Sequence, residues 1–211
     1  MEWIRRVARG YESFREGYYE ENRALFEELA TKGQSPRVMV ISCCDSRVEP
    51  SVILGAEPGD LFVVRNVANL VPPYEPDSHY HGTSAALEFA VKNLKVRHIV
   101  ILGHAQCGGV KAALTGTVDP ETSFIGKWMS LTDAIRDDVV KNHADEPFED
   151  QLLELEHQSI SQSVAHLKQF PFIADAVEAE DLYLHGWHFD IHSGELLALN
   201  HSDGDFEPLP F

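Results

Sequence analysis

The segment Arg37–Arg47, RVMVISCCDSR, runs an apolar stretch into two adjacent cysteines and follows them at once with an acid and a base. RVMVIS (37–42) is short, rich in β-branched residues and apolar through its centre, as a strand covered on both faces of a parallel sheet should be. DLFVV (60–64) and RHIVILG (97–103) repeat the pattern. Helical patterns lie between and after them, at Thr83–Leu94 (TSAALEFAVKNL) and from Gly108 (GGVKAAL). Alternation of such strands and helices predicts an α/β fold with a mainly parallel central β-sheet flanked by helices and right-handed crossovers.

Outside this frame lie two extensions. The first thirty residues carry Trp3, Val7, Tyr11, Phe14, Tyr18, Leu25, Phe26 and Leu29 at spacings of three, four and seven, which predicts an amphipathic N-terminal helical arm, broken at Gly10 and Gly17. The tail LYLHGWHFDIHSGELLALN (182–200) has a turn signal at Ser193-Gly194 and reads as two strands in a hairpin-like extension. The segment from Pro120 to about Ala179 reads as mostly helical, broken near Pro147 and Pro171, and offers no evident chemistry. With 211 residues and no Gly/Ser- or Pro-rich linker, the chain is expected to form one domain over 1–211.

Charge narrows the partners. A formal net charge of −17 argues against nucleic-acid or anionic membrane surfaces, which need clustered Lys and Arg. No stretch approaches the roughly 18 apolar residues of a membrane span, and the N-terminus lacks the continuous apolar core of a secretory signal. A cytoplasmic protein acting on a small molecule is the expectation. Three cysteines are too few for a disulfide framework, so metal binding or thiol chemistry is the better prior.

Cys43 and His104 each follow directly on the end of a buried strand, where open α/β sheets place their ligand sites. Cys107 lies three residues after His104; a helix starting there would let both side chains face one point. Two thiolates and an imidazole make a zinc-type donor set, and three donors leave the fourth tetrahedral position for water or substrate. Successive side chains of an extended chain point to opposite sides, so only one of Cys43 and Cys44 can face His104. Spacing alone leaves the choice open.

C-x-D-S-R followed some sixty residues later by G-H-x-x-C-G-G resembles the β-class carbonic anhydrases, of the plant-type subgroup with an open active site. The similarity extends through KGQSPRVMVISCCDSRVEPSVILGAEPGDLFVVRNVANLVPPY, HGTSAALEFAVKNLKVRHIVILGHAQCGGV and the LHGWHFDI tail. The resemblance implies one Zn2+ per chain held by Cys43, His104 and Cys107, with Cys44 a small buried filler. It implies reversible hydration of CO2 to bicarbonate and a proton, by zinc hydroxide oriented by the Asp45–Arg47 pair. By the same likeness Gln34 donates to the substrate, Phe62, Val67 and Phe89 wall the pocket, and the Gly108 N–H adds a donor. A homodimer or homotetramer is implied, with some pocket groups supplied by the neighbouring chain and the arm packing on that partner. Phe89 stands where many relatives have Tyr, and Asn93 where some have a proton-shuttle His, which leaves the shuttle unassigned, with His79 and His81 on the nearby loop as candidates. Val40 replaces the Trp of the bicarbonate-inhibited subgroup. Arg65 reads as an interface or core ion-pair partner, and His185, His188 and His192 as surface or hydrogen-bonded side chains. Two alternatives are a hydrolase for carbonyl sulfide or carbon disulfide on the same fold, and a non-enzymatic zinc or redox module with a closed four-ligand site.

Overall fold

The computed structural model describes every residue except Ser78, Pro120, Thr122, Pro210 and Phe211. It divides into two compact units, Met1–Ser35 and Pro36–Phe211.

The first unit holds α1 (Glu2–Glu16), α2 (Tyr18–Glu21) and α3 (Arg23–Lys32). Gly10 does not break α1, contrary to expectation: the surrounding good helix formers offset its entropic cost of about 1 kcal/mol. Gly17 does end it, with non-helical φ −106° and ψ −93°. Phe26 gathers Phe14, Tyr18 and Tyr19 at centroid distances of 5.9, 6.3 and 4.9 Å. Trp3, Ile4, Val7 and Tyr11 stay exposed, and no residue of the three helices is buried. These apolar side chains therefore have little core of their own.

The second unit is built on a six-stranded sheet in the order β2-β1-β3-β4-β5-β6. Its strands are β1 (Val38–Cys43), β2 (Leu61–Asn66), β3 (His98–His104), β4 (Tyr183–Phe189), β5 (Leu196–Leu199) and β6 (Phe206–Pro208). The first four are mutually parallel, and the β4–β5 and β5–β6 pairings are antiparallel. The tail hairpin is present as β4–β5; its first strand also extends the parallel sheet, and β6 adds an edge that residue pattern did not suggest. β1 and β3 are buried on both faces, but β2 is only half-buried because it is an edge strand. An apolar run thus identified the strand without telling centre from edge.

Helices of this unit are α4 (Pro50–Ile53), α5 (Gly82–Glu88), α6 (Gly108–Leu114), α7 (Phe124–Met129), α8 (Asp133–Asn142), α9 (Phe148–Leu167) and α10 (Pro171–Glu178). A π-helical turn over Phe89–Leu94 continues α5. The helical segment expected from Pro120 begins at Phe124; Pro120 itself lies outside the described residues. Met39, Ile41, Ile99 and Ile101 pack on one sheet face with Ile160 and Val164 of α9, while Val40, Val100 and Leu102 pack on the other. Ile160 lies over two strand glycines: a Cβ on Gly103 would come within 2.5 Å of its Cδ1, and one on Gly186 within 2.8 Å of its Cγ2. Those missing methyls set how closely α9 approaches the sheet.

Candidate metal centre

β1 and β3 are adjacent and parallel, so Cys43 and His104, their last residues, emerge at the same edge of the sheet. Cys107 reaches the point by a turn. Gln106 takes a left-handed φ of 58°, and Cys107 is the extended N-cap of α6 (φ −65°, ψ 120°). The expected one-turn helical spacing from His104 to Cys107 is therefore replaced by a bend that ends the strand before the helix starts.

All three side chains are buried, with donor atoms within 4.8 Å of one another. The two sulfurs lie 3.9 Å apart; tetrahedral zinc with bonds near 2.3 Å spaces two thiolates by about 3.8 Å. His104 Nδ1 hydrogen-bonds the Ala105 carbonyl at 2.9 Å, which makes Nδ1–H the donor and leaves Nε2, buried and without a hydrogen-bond partner, as a free lone pair. Cys43 is pulled down to about 4, chiefly by the hydrogen bond from Cys107, with the backbone N–H groups of Asp45 and Ala68 adding to it against burial. Cys107 is pushed up by the neighbouring Cys43 thiolate and by burial. Such a pair yields one proton readily and the second when a cation sits between the sulfurs. The donor set, its spacing and the orphaned nitrogen fit zinc. Among the described residues no fourth His, Cys, Asp or Glu joins this group.

Asp45 and Arg47 form a two-pronged pair beside it: Nε donates to Oδ1 at 2.9 Å and Nη2 to Oδ2 at 2.7 Å, while the Arg47 backbone N–H also reaches Oδ1. The Arg47 hydrogen bonds hold the Asp45 carboxyl well below the usual carboxylate range. Asp45 Oδ2 is 3.9 Å from His104 Nε2, at the mouth of the donor group. Arg47 Nη2 also donates to the Gln106 carbonyl at 3.1 Å, tying the Asp45 loop to the turn before Cys107.

Other expected site residues divide into those near the centre and those away from it. Val67 packs in the cluster containing Cys43 and Cys107; its carbonyl accepts from Trp128 Nε1 at 2.8 Å. Gly109 must be glycine here, since a Cβ would meet Val67 Cγ1 at 2.8 Å. Gly108 is the first residue of α6, directly after Cys107. The Phe62 and Phe89 rings meet at a tilt with centroids 5.9 Å apart, but Phe62 pairs with Met39 whereas Cys43 pairs with Asn66. Four residues of strand, about 13 Å, separate them from their own chain's metal centre. Gln34 belongs to the first unit and is exposed after α3. Asp77 binds both loop histidines, His79 Nδ1 at 2.9 Å and His81 Nε2 at 2.6 Å.

Cys44 is exposed, so the buried-filler reading is corrected. The strand ends at Cys43, and Cys44 leaves the sheet with its N–H on the Asn66 carbonyl. Arg65 does more than the ion pair expected of it. Nε donates to the Cys43 carbonyl at 3.0 Å, Nη2 to those of Asp45 and Val48 at 2.8 and 2.6 Å, and Nη1 to Glu49 at 2.7 Å. One guanidinium thus pins the loop bearing Cys43 and Asp45. Glu156 of α9 is also unforeseen: it is buried and accepts the Cys107 N–H at 2.9 Å. The signal was available, because Glu156 falls in the apolar stripe Leu152, Ile160, Val164 at i, i+4 spacing, where an acid needs a buried partner.

A parallel α/β sheet with two thiols and an imidazole grouped at its carboxyl edge is a zinc-enzyme class of site. A family model described as carbonic anhydrase matches residues 38–196. The chain is 36% identical to a carbonic anhydrase of Synechocystis over 96% of its own length and 73% of that protein's. Beta carbonic anhydrase 3 of Arabidopsis thaliana is 34% identical over 92% and 76%. The solved β-carbonic anhydrase CcaA superposes with a TM-score of 0.91 at 36% identity, covering 98% of this chain and 99% of that one. Two tetrameric β-carbonic anhydrases of Sordaria macrospora are represented at TM-score 0.81 and 30% identity, over 95% and 98%. The chain belongs to the β-class carbonic anhydrases, zinc enzymes whose activity is the reversible hydration of CO2. The carbonyl sulfide and carbon disulfide alternative is not favoured by these matches.

Proposed function

We propose that Cys43, His104 and Cys107 hold the zinc ion of this carbonic anhydrase and that the Asp45–Arg47 pair aims the attacking water oxygen at CO2. The observation that carries this is the buried, unpartnered His104 Nε2 facing two thiols at tetrahedral spacing. Zinc bound there supplies a water acidified toward neutral pH and a Lewis-acidic centre. Asp45 remains ionised because Arg47 occupies both its oxygens, so it accepts a hydrogen bond from the water and turns a lone pair toward substrate. The same grip keeps Asp45 from taking the open position itself. Val67 offers an apolar wall suited to uncharged CO2, and the Gly108 N–H a donor for the developing negative oxygen.

The finer reading is an open, plant-type site without a bicarbonate inhibition site, in a cytoplasmic homodimer or homotetramer. Tetrameric relatives and the separation of Phe62 and Phe89 from their own metal centre support assembly. In that reading these rings, with Gln34, complete the pocket of a neighbouring chain, and the uncovered Trp3–Tyr11 face of α1 packs on the same partner within a domain spanning 1–211. His81 and His79, both on Asp77, take the proton outward in place of the residue that Asn93 lacks. No helix among the described residues is long and apolar enough to cross a membrane. Stopped-flow CO2 hydration, with zinc content and light-scattering mass on the same sample, tests the whole reading. Zinc-replete protein with no hydration up to about pH 9, where even water on aqueous zinc is half ionised, would overturn it.

A further inference from the structure

We propose that the buried Glu156–His188 pair is the positioning unit for the metal ligand Cys107, a role that rests on the zinc reading of Cys43, His104 and Cys107. Glu156 projects from the middle of α9 with 3% of its surface exposed and divides its two oxygens between two tasks. Oε1 accepts the Cys107 backbone N–H at 2.9 Å. Oε2 meets His188 Nε2 at 3.2 Å, and His188, on β4, is 2% exposed. His157 meets the His188 ring edge-on at a centroid distance of 4.6 Å and is itself stacked on Phe206.

The placement answers a local need. Gln106 is held in a left-handed conformation that side-chain-bearing residues avoid, and Cys107 follows it as an uncapped helix start. The turn relaxes unless its neighbours hold it. Arg47 holds one side through the Gln106 carbonyl, and Glu156 holds the other through the next N–H. These two grips hold the 106–107 peptide at both its ends, and with it the backbone position from which Cys107 Sγ lies 3.9 Å from Cys43 Sγ. A buried acid and its partner are weak evidence for fold stability, since apolar side chains of similar volume often serve a core as well or better. What the carboxyl provides that a leucine cannot is an acceptor for the Cys107 N–H, and His188 fixes the rotamer that presents it.

Purified, zinc-replete parent, Glu156→Ala, Glu156→Gln and His188→Ala proteins are titrated against a zinc chelator, and the cobalt(II)-substituted forms are compared by their thiolate-to-metal absorption. The expected result is a zinc affinity lower by about 10- to 100-fold in Glu156→Ala, with an altered cobalt spectrum. Glu156→Gln, whose amide oxygen still accepts the N–H, recovers affinity to within about fivefold of the parent, the size of an exchange of one acceptor type for another. His188→Ala falls between the two. Glu156→Ala or, where that variant fails to fold, His188→Ala with parental affinity and an unchanged cobalt spectrum would overturn the proposal, whatever its melting temperature. A parent protein that binds no zinc would instead remove the metal site on which the proposal stands.

Discussion

Gly103→Ala is a one-methyl perturbation whose cost follows from the packing of α9 on the sheet. The added Cβ would lie 2.5 Å from Ile160 Cδ1 and 2.7 Å from Cγ1, against the 3.5–4.0 Å or so of normal carbon contact. Either α9 lifts or Ile160 leaves its rotamer, and overpacking of that kind costs about 1–3 kcal/mol. For a chain of this length that is a fall of about 3–10 °C in melting temperature. Ile160→Ala alone opens a cavity and costs about 2–5 kcal/mol. In the double variant the new methyl enters the vacated space, so the combined loss should be smaller than the sum of the single losses by about 1–3 kcal/mol. Urea unfolding of the four proteins, zinc-saturated throughout, measures that coupling. Strict additivity would show that Gly103 is not there to admit Ile160, and the account of how α9 seats on β3 and β4 would fail.

Arg47→Ala should keep its zinc and lose CO2 hydration by about 100-fold or more, the scale of losing an oriented electrostatic group; full activity at normal zinc content would remove the pair from the mechanism. Arg65→Gln strips donors from the carbonyls of Cys43, Asp45 and Val48, and with the part-exposure of the site discounted the loss should be about 2–4 kcal/mol. Its melting temperature should drop by about 5–12 °C, and a variant within about 2 °C of the parent would deny the loop-pinning role. His185 is lowered to about 4, first by burial and then by His98 and His201, whereas an unfolded His titrates near 6.5. Between those values the unfolded chain binds more protons, so stability falls as pH drops through this window, by up to about 1.4 kcal/mol per pH unit from this group. Urea midpoints at several pH values should show a shallower slope in His185→Gln; an equal slope refutes the assignment.

The amino-acid sequence alone determined the strand–helix alternation, and its likeness to a known family singled out the three metal donors and the acid–base pair behind them. Each is local: β-branched apolar runs, motif spacing, and a donor set whose chemistry admits few metals. Tertiary structure decided everything that depends on who is next to whom. It made β2 an edge, although its residues read as central, because strand order is a long-range property. It exposed Cys44, carried Gly10 within a continuous helix, and added β6. It also turned two residues with no motif of their own into supports of the centre. Arg65 reaches the Cys43 loop from the neighbouring strand, and Glu156 lies 49 positions beyond Cys107. No sequence spacing encodes such a meeting; it exists because α9 packs across β3 and β4, and a buried acid there must find a donor.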